Sequence, residues 1–158
     1  MFLIIFENVI FEILLVLLVI VIIIVVASMF FVKDLQTEYK KVFKIRSRFH
    51  IEIRKIVNLI YNVYSPEILE PFTKVVIKNL PHAEKRILLR NIDTVFQGLD
   101  PEDADNKYIL ETYENLQKLR RERDAKILTY NQKIRIFPYS IYAKFMKLSN
   151  FEIYTEKY

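Results

Sequence analysis

The chain has 158 residues, with 24 Lys and Arg against 19 Asp and Glu and a net charge of +5. It has no cysteine, one glycine and five prolines. These counts exclude a disulfide framework, a thiol nucleophile and a thiolate metal site, exclude a Gly-rich phosphate loop, and argue against a β-rich fold with many tight turns.

The first element is the run Ile13–Val32, ILLVLLVIVIIIVVASMFFV, uncharged and with Ser28 as its one polar side chain. Twenty residues at about 1.5 Å each span about 30 Å, the thickness of a bilayer's hydrocarbon core. A core helix would keep a polar face, and this run keeps none. A cleaved signal peptide would want a basic n-region and a small-residue cleavage site, yet Glu7 and Glu12 precede the run and no such site follows. The reading is a retained transmembrane helix. Lys33, Lys40, Lys41, Lys44, Arg46 and Arg48 follow it, whereas no Lys or Arg precedes it. Positive flanks stay inside, so the N-terminus is expected outside and residues 33–158 in the cytoplasm. The boundary expected is 1–32 for the tail and span, and 33–158 for one helical domain.

No Gly or Pro interrupts Lys33–Tyr64, and Leu35, Tyr39, Val42, Ile45, Phe49, Ile53, Ile56, Ile60 and Val63 recur at helical spacing. The span should continue into this helix without a break. Ser65-Pro66-Glu67 reads as an N-cap, a proline at N1 and an acid in the first turn. Two pieces are expected next, roughly Glu67–Lys78 and Pro81–Phe96. Gly98 suits a helix C′ position, and acids 100–105 suit a loop before the next helix. The second long pattern is Asn106–Phe137, with Ile109, Tyr113, Leu116, Ile127, Tyr130, Ile134 and Phe137 on one face. Pro138 ends it. Ile141, Phe145 and Leu148 with Lys144 and Lys147 suggest a short amphipathic helix, and Phe151, Ile153 and Tyr154 a packed tail.

Helix phase turns Arg120 and Arg123 inward on the second long helix, and Glu52 inward on the first. If three segments of equal length run up, down and up, these groups fall at similar heights. A pair between Glu52 and Arg120 or Arg123 is then expected, since an unpaired buried charge is costly.

His50 and His82 lie too far apart for a two-His metal motif, and the acids after Gly98 lack the register of a calcium loop. The ordinary readings are surface or boundary histidines and a solvated acidic loop. Most tyrosines fall on or beside helical stripes, where packing is their usual role. No nucleophile–base pair or metal set is legible.

Several of these residues together resemble a family. Tyr130-Asn131, then Ile134, Phe137-Pro138, Ala143 and the ending Phe151-Glu152-Ile153-Tyr154 resemble the C-terminal signature of LemA-family proteins. Ile56-Val57-Asn58-Leu59-Ile60 is similar to that family's I-P-N-L-V segment, with Val57 in place of the proline. The resemblance implies a bacterial, single-pass membrane protein with a cytoplasmic antiparallel helical bundle, and implies no activity. It marks Asn58, Tyr130, Asn131, Phe137 and Pro138 as structural or partner-contacting positions.

The fold class expected is all-α: one N-terminal transmembrane helix followed by a cytoplasmic up-and-down helical bundle. The function expected is a scaffold or interaction module at the inner leaflet, without enzymatic activity or cofactor. Its partners are the membrane and other proteins, including copies of itself, with no nucleic acid and no small-molecule substrate. Lys40, Lys41, Lys44, Arg46 and Arg48 are the candidate contacts to anionic head groups. The alternative is a lipid-organising or membrane-remodelling protein that uses this basic face directly.

Overall fold

The computed structural model describes residues 2–103 and 106–154, with side chains from Ile10 onward. All its regular elements are helical, and no strand occurs among the described residues.

Helix α1, Phe2–Tyr64, is one unbroken helix of 63 residues. No glycine or proline precedes Pro66, so nothing in the sequence breaks it. It ends at Ser65, which takes the left-handed conformation at φ 45° and donates its N–H to Tyr61 O at 2.9 Å. Ser65 therefore closes α1 rather than capping the next turn, and its hydroxyl also bonds back to Tyr61 O.

The expected helix Glu67–Lys78 is broken into three pieces: a 3-10 turn at Glu67–Leu69, the one-turn helix α2 at Glu70–Thr73, and a second 3-10 turn at Ile77–Asn79. Pro71 is tolerated at the start of α2 because the first N–H groups of a helix have no partner. The far end of α2 is held by Arg54, whose guanidinium donates to Phe72 O at 3.0 Å and Thr73 O at 2.7 Å. Pro81 then keeps Leu80 extended, at φ −60° and ψ 140°. Helix α3 follows over His82–Gln97, one residue displaced from its expected bounds. It ends on Gly98 at φ −90°, a conformation open to any residue, so the glycine is not required there.

Helix α4 covers Lys107–Lys133 and α5 covers Tyr139–Phe145. α4 runs back along α1. Its start meets the end of α1 through Tyr64 and Asn106, and its end meets the turn of α1 just after the apolar run through Lys133 and Asp34, 2.7 Å apart. Two apolar clusters fill the seam. One joins Phe49, Ile53, Ile56, Val57 and Ile60 to Leu88, Leu89, Ile92, Ile109 and Leu116; the other joins Leu35 and Val42 to Ile127, Tyr130, Ile134 and Ala143.

This direction corrects the expected up-down-up order. The chain between Tyr64 and α3 returns only part of the way, because prolines break it. α3 then covers the half of α1 farther from the apolar run, and α4 returns along the whole stripe. Glu52 is therefore not the partner of either arginine. Glu52 sits 3.9 Å from Lys55 on its own helix, Arg120 pairs with Asp93 at 3.3 Å, and Arg123 pairs with its neighbour Asp124. The phase reading holds for Arg123, which is 3% exposed. It fails for Phe137, which is 76% exposed because α4 stops before it.

Candidate functional site

The apolar part of α1 is solvent-exposed on every face. From Ile10 to Val26 no residue is buried, and Ile23 and Val26 are 61% and 62% exposed. A core helix of a water-soluble protein cannot be bare all round. This is one helix long and apolar enough to cross a membrane.

Where that run ends, α5 docks against it. Tyr142 Oη lies 2.8 Å from Ser28 Oγ, whose own proton is committed to Ile24 O at 2.7 Å, so the tyrosine donates. The Phe31 ring stacks on Tyr142 at 5.5 Å and meets Tyr139 edge-on at 5.1 Å. Tyr139 donates to Asp34 Oδ2 at 2.7 Å, beside Lys133. These donors hold the Asp34 carboxyl below the usual range, the Lys133 hydrogen bond contributing most and Tyr139 next. The lone polar side chain of the apolar run thus anchors a helix that lies 114 residues later.

Because Tyr139, Tyr142 and Ala143 face α1, the other side of α5 points away. The expected stripe of Ile141 and Phe145 is consequently not the packed face. Ile141 and Phe145, at i and i+4, are 44% and 82% exposed, and Phe137, just before the helix, is 76% exposed. Ile136 extends the patch, and the exposed Arg135, Lys144 and Lys147 border it. An apolar helix face with a basic rim is the pattern of a helix lying in a membrane interface.

The family-motif positions separate. Tyr130 is fully buried, and its hydroxyl has no partner among the described residues. Asn131 clamps the tail, donating to Phe151 O at 2.7 Å and accepting from Phe151 N at 2.9 Å. Pro138 follows a cis peptide bond and precedes α5, and Asn58 is exposed on the distal part of α1. Of the basic residues after the apolar run, Lys40, Lys41, Lys44 and Arg48 are exposed, Lys41 on Glu38 at 2.8 Å. Arg46 is set apart, with its guanidinium over the Phe151 ring at 4.7 Å. The sequence reading missed Asp34, Tyr139 and Tyr142. Their one visible signal was Ser28, a polar residue with no partner inside the apolar run.

His82 stacks on Tyr154 at 4.3 Å with Nδ1 2.8 Å from Glu152, and His50 lines a groove with Phe43, Arg46 and Lys78. Among the described residues, no three His, Asp or Glu converge as metal ligands. Burial, and then the charges of Lys85, Arg46, Arg123 and Lys78, hold His50 down at about 4. Burial also lowers His82, against the attraction of Glu152. An unfolded histidine protonates near 6.5, so below that pH the unfolded chain takes up protons that the folded chain refuses. Stability is therefore expected to be intact above about pH 6.5 and to fall as the pH drops toward 4. Denaturation of the full chain across this range should show the loss, and His50→Gln should flatten it. A wild-type profile as flat as that of the variant would contradict it.

Comparison with family models, with curated proteins and with solved structures found no match to this chain.

Proposed function

We propose that this chain is a single-pass membrane protein whose antiparallel helical bundle is held against the inner leaflet as a scaffold for other proteins, with α5 as a second point of attachment. The observation that supports it is the placement of α5. Its packed face is bonded to Ser28, inside the apolar run, and its opposite face is apolar and bare. Ser28 lies four residues before the end of that run, so α5 sits at the level of the bilayer surface when α1 spans it. Two attachments fix the tilt of the body, as a platform for partners requires. The basic flank orients the chain with residues 33–158 in the cytoplasm. The LemA resemblance and a bacterial source belong to the same reading.

The bare face of α5 also favours a second reading, lipid organisation, in which Phe137 and Phe145 act as a wedge among head groups. Single cysteines test both, because the chain has none of its own. In lipid nanodiscs, fluorophores at Ile141→Cys and Phe145→Cys should be quenched by nitroxide-bearing lipids, and one at Ile51→Cys should not. Equal quenching at all three would remove the second attachment. In intact cells, Ile51→Cys should resist a membrane-impermeant maleimide until the cells are opened. A vesicle diameter that changes on reconstitution, and reverts with Phe137→Ser and Phe145→Ser, would favour lipid organisation over the scaffold.

A further inference from the structure

About halfway along the body, α1, the link before α3, α3 itself, α4 and the tail converge on a polar pocket of about 400 Å³, lined by Arg46, Lys78, His82, Lys85, Arg123 and Glu152 among others. Its charge is unbalanced. Arg46, Lys78, Lys85 and Arg123 bring four positive charges, while Asp124 and Glu152 bring two negative ones. Among the described residues, no carboxylate forms an ion pair with Arg46, Lys78 or Lys85. Glu152 is turned largely to solvent, its side chain 70% exposed.

Lys78 is exposed and Arg46 half-buried, but the other two cations are withdrawn from solvent. Arg123 and Lys85 are 3% and 5% exposed. Lys85 Nζ donates to the Lys78 carbonyl at 3.0 Å, a neutral partner that leaves its charge uncompensated. Arg123 donates Nη1 to Asp124 and Nη2 to Glu152 O, but among the described residues its buried Nε has no partner, and neither does His82 Nε2. Burial lowers the Lys85 ammonium, and Arg46 and Arg123 lower it further. Buried cations that outnumber the counter-charges beside them cost free energy unless something negative completes the set.

We infer that this pocket is a binding site for a soluble multivalent anion of the phosphate or oligophosphate class. Two excess positive charges match the charge of about −1.5 to −2 on a phosphate monoester. A mixture of guanidinium and ammonium donors suits its several oxygens. Arg123 Nε is the buried donor left to complete the shell. A head group of the chain's own bilayer is the other source of phosphate, and height argues against it. Arg46 follows Val32 by fourteen residues, about 21 Å of helix rise. The head-group layer is only about 5–7 Å deep on each side.

The test is calorimetric titration of inorganic phosphate and of pyrophosphate into the full chain in zwitterionic nanodiscs. One site per chain is expected, tighter for pyrophosphate and weakened by salt. Arg46→Gln with Lys78→Gln changes two residues outside the core, so the helical spectrum should persist while affinity falls about tenfold or more. Absence of binding by the wild type, or undiminished binding by the double variant, overturns the inference. Adding a phosphoinositide lipid to the same nanodiscs should leave pyrophosphate binding unchanged, and competition by the lipid would overturn the soluble source. Binding that arises only in a chain ending at Tyr154 would assign the pocket to residues 155–158 and also overturn it.

Discussion

Replacing Asp124 with alanine is expected to destabilise the full chain by about 3–5 kcal/mol, because it strands a buried guanidinium. Arg123 and Asp124 are 3% and 7% exposed, so water cannot replace the lost partner. Asp124 also accepts the Tyr154 N–H at 3.0 Å, so the variant frees the tail as well. Denaturation in nanodiscs measures the first effect, and hydrogen exchange at the Tyr154 amide measures the second. Arg123→Met combined with Asp124→Asn should recover much of the loss. Methionine keeps the packing against the Tyr154 ring, now 4.1 Å from the guanidinium, and asparagine keeps an acceptor for Tyr154 N–H. A loss below about 1 kcal/mol for Asp124→Ala would mean that the pair is solvated and contributes little.

Replacing Phe49 with alanine is expected to cost about 3–5 kcal/mol, through lost burial and the cavity left behind. Phe49 is fully buried, with its ring 5.7 Å from Tyr154 and 5.6 Å from the Arg123 guanidinium. The cavity would open where α1, α4 and the tail meet, and neither helix can collapse into it while the rest of the seam stays packed. Phe49→Leu should cost clearly less. Equal denaturation midpoints for the alanine variant and the wild type would contradict the placement of the tail. Exchange at the Tyr154 amide should rise less than in Asp124→Ala, because Phe49→Ala leaves its hydrogen bond in place.

Both substitutions act on one junction, and that junction was only half legible. The inward turn of Arg123 followed from its spacing to Leu116 and Ile127. Its partner was assigned to Glu52 because the height argument assumed three helices of equal length. Pro71 and Pro81 cut the middle helix, which changed the direction of α4 and every height derived from it. Asp124 carried no such signal, since a residue adjacent in sequence points about 100° away on a helix. It pairs with Arg123 here because Tyr154 N–H and the guanidinium both need an acceptor at that level. Which face of α5 packs was not legible for a related reason. Seven residues give two turns, too few for apolar periodicity to outweigh two tyrosine hydroxyls with fixed partners.

The sequence by itself determined the long apolar run, the continuity of α1 beyond it, the buried stripe from Leu35 to Ile60, and the extents of α3 and α4 to within a few residues. These are local properties. A helix without proline or glycine continues, and apolar residues at spacings of three and four share a face wherever the chain is later placed. Only the tertiary structure decided what each face meets. It set α4 against α1 in the opposite direction, brought Tyr142 to Ser28 and Tyr139 to Asp34, and turned Phe145 outward. It also gathered Arg46, Lys78, Lys85 and Arg123 from four separate segments into one recess. Those outcomes depend on where the chain turns and how far it returns, which the prolines between Tyr64 and α3 control through backbone geometry rather than through any pattern of hydropathy.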